Sequence, residues 1–301
     1  MTFRACALEP AGPIEYLRTR PWSALARVPA ADGDVYFKAA APTSRFEPSL
    51  TLQLAERRPE CLPEVIAIDA GRGWLLTCDA GPQLREVLVG SDDPGIWDEL
   101  LTLYARLQLE VGGSVDELIA VRTPDERPAN LRAAFEELLP RWELESQFLQ
   151  LAPVIEDYAG RLGDTIPISV IHEEFNDNNI HLGPESPVII DWAEAAVGHP
   201  FAGLVVTMRG LADRWGYEPG GPELRRLRDL YLESWTSLAP LPELIALFAI
   251  AYPLGIVSRA LAWDRILAPL DDVDRADFNH TVPAWLDVLH ATIEGTATLG
   301  T

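Results

Sequence analysis

The chain is 301 residues long, 48% apolar, and carries a formal net charge of −22 at pH 7, so it is an ordinary globular protein large enough for two modest domains or one two-lobed unit. That acidic balance argues against nucleic acid and against an anionic membrane surface, because both bind through clustered Lys and Arg. It favours cations in general, with solubility as the plainer reason for it.

From the N-terminus, Met1 to Gly12 contains Arg4 and Glu9 and no continuous apolar core, which predicts no signal peptide. Cys6, Cys61 and Cys78 are too few and too scattered for a disulfide framework or a zinc cluster, so a reducing cytoplasm is the expected location. Residues 1–80 read as strand-rich. The turn signal Ala31-Asp32-Gly33-Asp34 between Ala24–Val28 and Val35–Lys38 predicts a hairpin. Pro48 to Arg58 predicts a helix with Pro48 at its first position, and Val65–Ile68 and Gly73–Thr77 predict two further strands around the Asp69 to Gly73 turn. Gly81-Pro82 then breaks the pattern and marks the expected boundary between an N-terminal lobe, 1–80, and a C-terminal one, 81–301.

Beyond it the period turns helical, with Ile96, Leu100, Leu103, Leu107 and Val111 at three- and four-residue steps. Helices are predicted over Pro128–Leu139 and Glu143–Leu162. Short strands return at Ile168–Ile171, Ile180–Leu182 and Val188–Ile190, with a turn at Gly183-Pro184-Glu185-Ser186, and the rest is helical. The uncharged stretch Leu244–Ser258 is short for a membrane span; it reads as a buried helix kinked or broken at Pro253 and Gly255. The expected fold class is therefore α+β: a small antiparallel sheet with one helix, then a larger helical lobe bearing a short hairpin.

Two features carry chemistry. Lys38 is the single lysine, every other basic residue among the 24 being arginine, and it closes the run Val35-Tyr36-Phe37-Lys38. A compact ammonium can rest on phosphates and pair with a carboxylate where a flat guanidinium fork does not substitute. The second feature is the polar cluster His172-Glu173-Glu174-Phe175-Asn176-Asp177-Asn178-Asn179 between two apolar runs, followed by Ile190-Asp191-Trp192. Phosphoryl transfer needs a carboxylate for the acceptor hydroxyl, a few oxygens for magnesium and a cation for the phosphates; Glu174, Asn179, Asp191 and Lys38 form such a set.

The segment resembles the catalytic loop of the aminoglycoside phosphotransferase and choline kinase group, small-molecule kinases of protein-kinase-like fold. The pattern there is His-x-Asp, four residues, Asn; here it is His172-x-Glu174, four residues, Asn179. The resemblance extends to Ile190-Asp191-Trp192, to Val197-Gly198-His199-Pro200-Phe201, and over about Arg20 to Leu204. It implies a bilobal kinase-like fold that holds ATP or GTP with Mg2+ between its lobes. Lys38 would contact the α- and β-phosphates with Glu47 as its helix partner, Asn179 and Asp191 would hold the metal, and Glu174 would be the catalytic base. The backbone of Leu76-Thr77-Cys78-Asp79 would meet the nucleotide base. The acceptor would be a hydroxyl of a small molecule: an amino sugar, aminoglycoside or amino-alcohol.

The chain departs from the pattern twice. The phosphate-covering turn, Thr19 to Ala24, has no glycine, so a cradle there relies on Ser23 and backbone amides. Glu174 stands where the group has Asp, and one methylene can misplace a base by enough to matter; the backbone retracts to compensate, the base works poorly, or the protein binds nucleotide without transferring phosphate. Glu173 and Asp177 read as a solvated acidic loop, His172 and His199 as structural anchors, and the tryptophans at 215, 235, 263 and 285 as core. A metal hydrolase built on His172, His181 and His199 lacks the His-Glu-x-x-His spacing. No Gly-x-Ser-x-Gly or Gly-x-Gly-x-x-Gly motif occurs.

Overall fold

The computed structural model describes residues 10–31, 33–91 and 93–295; Cys6, Asp32 and the first nine residues of the N-terminal reading lie outside them. The N-terminal stretch comprises β1 (Glu15–Arg20), β2 (Ser23–Val28), β3 (Val35–Ala40), α1 (Glu47–Arg57), β4 (Val65–Asp69), β5 (Trp74–Cys78) and α2 (Leu84–Val87). Helices α3 (Ile96–Val111), α4 (Val115–Ala120), α5 (Pro128–Arg141), α6 (Glu145–Phe148) and α7 (Ala152–Leu162) follow. Then come β6 (Ser169–Ile171), β7 (Ile180–Leu182), β8 (Pro187–Ile189), β9 (Ala196–Gly198) and helices α8 (Val205–Trp215), α9 (Pro222–Glu233), α10 (Leu241–Leu267), α11 (Asp272–Arg275) and α12 (Thr281–Ile293).

These elements form two units. The first holds the described residues up to Val89, with Ala120–Thr123 and Asp177–Glu194; the second holds Gly90–Ile119, Pro124–Asn176 and the described residues from Ala195 on. The first unit thus runs past the Gly81-Pro82 break and takes in the β7–β8 hairpin. Its sheet is antiparallel in the order β1-β2-β3-β5-β4, which places Lys38 on the central strand opposite Leu25 and Leu75. The second unit is mostly helical: α10 packs against α12, α7 and α5, and β6 pairs with β9. The fold is α+β, as the sequence predicts.

Three elements differ from expectation. Strand β1 carries no buried residue, so it lacks the in–out alternation by which a half-buried strand is read. The helix expected over Glu143–Leu162 is two, separated by a 3-10 turn at Leu149–Leu151. Glu143 itself has φ 57°, outside the helical region, and Pro153, lacking an N–H, belongs in the first turn of α7 rather than inside a helix. Of the kink or break expected at Pro253 and Gly255, the break does not occur, since α10 runs 27 residues through both. Gly255 is there for close approach: a Cβ on it would lie 2.2 Å from the Ala202 carbonyl oxygen. By length and apolarity α10 could cross a membrane, yet 78% of its apolar window is buried in the protein, which accounts for its composition as a core helix.

Candidate active site

In the first unit, Lys38 projects from β3 and is buried. Its ammonium donates to Glu47 Oε1 at 2.6 Å and to Asp191 Oδ1 at 2.5 Å. Glu47 sits at the start of α1, where the positive end of the helix favours a carboxylate. Burial alone would lower the Lys38 pKa, but the Asp191 and Glu47 carboxylates outweigh it and hold the group above its ordinary value, so Lys38 stays an ammonium. For Glu47, burial pushes the carboxyl up while Lys38 pulls it down. Asp191 follows β8 with φ 63°, a left-handed conformation that Asp tolerates better than most residues. Behind it Trp192 is fully buried and donates its indole N–H to the Ile189 carbonyl at 3.2 Å. Arg18 of β1 donates to the second oxygen, Asp191 Oδ2, at 3.3 Å. Asn179, at the start of the β7–β8 hairpin, accepts the Ile190 N–H on its carbonyl at 2.9 Å, which brings it beside Asp191.

The residues expected around a nucleotide are placed as follows. Ser23 opens β2 opposite Arg20 and Ala40. Cys78 ends β5, its N–H donating to the Glu64 carbonyl at 3.0 Å. Asp79 is exposed and caps the following turn, accepting the Gly81 N–H at 2.9 Å. Asp177 is not solvated as expected: it is buried and takes two hydrogen bonds from Arg85, at 3.0 and 2.7 Å. That pair, with Gln83 donating to the Asn178 carbonyl at 2.7 Å, ties the loop ahead of Asn179 to α2.

In the second unit the backbone around Glu174 is pinned at three points. The His172 N–H donates to the Tyr104 hydroxyl at 2.9 Å, the Glu174 N–H donates to His172 Nδ1 at 3.2 Å, and the Thr207 hydroxyl donates to the Phe175 carbonyl at 2.6 Å. Phe175 is fully buried, stacked on Tyr104 with centroids 4.3 Å apart. His172 is therefore a loop anchor. His199 likewise accepts the Phe201 N–H at 3.3 Å, and burial lowers its pKa to about 3, so it is neutral.

The Glu174 carboxylate is held by Arg259 of α10. Arg259 is 3% exposed, with its guanidinium 5.2 Å from the Trp263 ring and 6.0 Å from that of Trp285. Two of the four tryptophans read as core thus flank an arginine, while Trp235 is core indeed. Glu173, the other residue expected in a solvated loop, is buried with φ 66°. Burial first, then the neighbouring Glu126 carboxylate, pushes its carboxyl up to about 8 against the pull of Arg259, Ser258 and Arg265.

Lys38 meets Glu47, the partner the resemblance implies, and Asp191, while Asn179 is joined through its backbone to Ile190, the residue before Asp191. Arg18, Arg85 and Arg259 were missed. Nothing local distinguishes them among the chain's many arginines, and Arg259 lies 85 residues from the carboxylate it holds.

A solitary lysine clasped by a helix-start glutamate and by an aspartate after a short hairpin, on an antiparallel sheet followed by a helical unit, is the arrangement of a small-molecule kinase of protein-kinase-like fold. The chain matches the APH phosphotransferase enzyme family over residues 19–241 and belongs to it. Solved structures of similar fold include a GDP complex of an aminoglycoside 2'-phosphotransferase, with a TM-score of 0.63, 14% identity, and coverage of 96% of this chain and 93% of that one. A Plasmodium vivax ethanolamine kinase gives 0.59 at 11% identity, with 93% and 84% covered. A macrolide 2'-phosphotransferase from Brachybacterium faecium gives 0.57 at 17%, with 93% and 94% covered. Curated proteins give no significant match.

Proposed function

We propose that this phosphotransferase moves the γ-phosphate of ATP or GTP to a hydroxyl of a small acceptor, an amino sugar, aminoglycoside or amino-alcohol. The observation that carries the proposal is the Lys38 ammonium set between Glu47 and Asp191. Lys38 contacts the α- and β-phosphates, steadied by Glu47, and the connector at Cys78 and Asp79 meets the nucleotide base. Glu174 accepts the proton of the attacking hydroxyl as its oxygen bonds to the γ-phosphorus and the bond to the departing nucleoside diphosphate breaks.

The residues fit a magnesium ion. The Asp191 carboxylate already gathers two cations, one on each oxygen, and Asn179, whose backbone carbonyl accepts from the residue before Asp191, would offer the second oxygen ligand. Magnesium keeps several of its waters and takes only one or two protein oxygens beside the phosphates. When bound, the ion would neutralise charge on the triphosphate. The acceptor class is supported by the net charge of −22, which attracts cations, and by the aminoglycoside and ethanolamine kinases of like fold.

A second reading, a nucleotide binder with weak or no transfer, is favoured by the engagement of Glu174 by a buried arginine. One experiment tests both. Mg-ATP or Mg-GTP should raise the melting temperature, because a ligand bound only to the folded state stabilises it by mass action; no shift with either removes both readings. Given a shift, product formation across aminoglycoside, amino-sugar and amino-alcohol acceptors, lost in Glu174→Gln, establishes transfer. Its absence with every acceptor leaves the binder.

A further inference from the structure

We propose that Arg259 is the positioning residue that lets a glutamate serve as the base, holding the longer side chain folded back where an aspartate would need no support. The proposal rests on the kinase reading above. Glu174 carries one more methylene than the Asp of the related pattern, roughly 1.5 Å of extra reach. The backbone has little freedom to adjust further. It is fixed at His172 by Tyr104, at Glu174 by His172 and at Phe175 by Thr207, with Phe175 packed on Tyr104. The adjustment therefore falls on the side chain, and a side chain with three rotatable bonds needs something to select one rotamer.

Arg259 supplies it. Its guanidinium donates a charge-assisted bond to Glu174 Oε1, a strong and directional contact. The donor is itself fixed. It stands on the long core helix α10, with Trp263 one turn further along that helix and Trp285 on α12 flanking it at cation–π range. The Glu174 side chain nevertheless remains 29% exposed while Arg259 is buried, so the carboxylate is steered from behind and still reachable from solvent. Lys in place of Arg would keep the charge but lose the planar fork and the stacking.

The test is a pair of variants combined in a cycle. With Mg-nucleotide and a turned-over acceptor, Arg259→Met should lower kcat about 10–100-fold, the range expected when a base is misplaced by about 1 Å, with KM for the nucleotide unchanged within about twofold. Arg259→Lys should recover part of the loss. Glu174→Asp, which by this argument needs no support, should be nearly indifferent to Arg259→Met, so the double variant should turn over faster than Arg259→Met alone and the two effects should be non-additive. Crystals of Arg259→Met should show the Glu174 carboxylate displaced by about 1 Å or more.

A purely structural Arg259 would instead lower the melting temperature with kcat per folded molecule unchanged and with additive effects; an inhibitory one would raise kcat on removal. Either result, or a carboxylate that stays in place, overturns the proposal. If the Met variant does not fold, the Lys variant carries the same kinetic and crystallographic comparison. Absence of any Mg-nucleotide shift in wild type would fell the functional reading alone, and the position of Glu174 in the variant crystal still decides whether Arg259 fixes it.

Discussion

Glu173 and Lys38 show how differently two buried charges are treated one by one. Lys38 has a carboxylate on either side and stays ionised, whereas Glu173 is crowded by Glu126 and its carboxyl titrates near pH 8. In the unfolded chain the Glu173 carboxyl ionises near 4.5, so between about pH 4.5 and 8 the folded state holds a proton that the unfolded state has lost. Stability then falls as pH rises through that window. His199 slopes the other way, its folded pKa near 3 against 6.5 unfolded, but its contribution is complete above about pH 6.5. Thermal melts from pH 6.5 to 8 therefore avoid the His199 transition: Glu173→Gln, with the same left-handed backbone, should flatten the decline seen in wild type, and an unchanged slope would show that Glu173 is ionised throughout. For Lys38→Met the expectation is harsher. Glu47 is left buried beside Asp191 without the ammonium, a loss of about 3–5 kcal/mol for a broken buried pair, lessened by the partial exposure of Asp191, and the melting shift with Mg-nucleotide should vanish.

At the level of elements, α10 does more than its sequence suggests, since besides forming the core it supplies the arginine paired with Glu174. Its apolar run was legible as a buried helix. Its continuity through Pro253 was not, because the reason lies in tertiary packing: Gly255 lets the helix settle against the Ala202 carbonyl, and that contact is 53 residues distant in the chain. Gly255→Ala should cost on the order of 2–3 kcal/mol through overpacking, despite the better helix propensity of alanine, as a drop in denaturant midpoint would show; a neutral result would mean that the helix has room to shift. The strands β2 to β5 were readable from apolar runs bounded by turn signals, and the start of α3 from its helical period. Strand β1 was not, since an edge strand with every side chain exposed leaves no pattern. The same contrast runs through the candidate residues of each unit. Lys38, Glu174, Asn179 and Asp191 announce themselves by rarity and spacing, while Arg259 and Arg18 act through contacts that only the folded chain creates.

Across the whole molecule, 46 acidic against 24 basic residues set up a field that the two proposed reactants, opposite in charge, would have to enter. On the proposed function, an amino-sugar or amino-alcohol acceptor, being cationic, would be drawn in, and Mg-nucleotide, being anionic, would be repelled until it reached Lys38 and Arg18. Screening length falls from about 30 Å at 0.01 M salt to about 10 Å at 0.1 M, so long-range attraction and repulsion both fade over that range while the contacts within the site persist. If the acceptor is cationic, its KM should therefore rise severalfold between those salt concentrations, while the KM for Mg-nucleotide holds or falls. A neutral acceptor would show no rise. Measuring initial rates for charged and uncharged acceptors over this range, at saturating nucleotide, separates the two classes without a structure of the complex. Equal salt dependence for a polyamine-like aminoglycoside and a neutral polyol would mean that the acidic surface serves solubility alone and plays no part in choosing the acceptor.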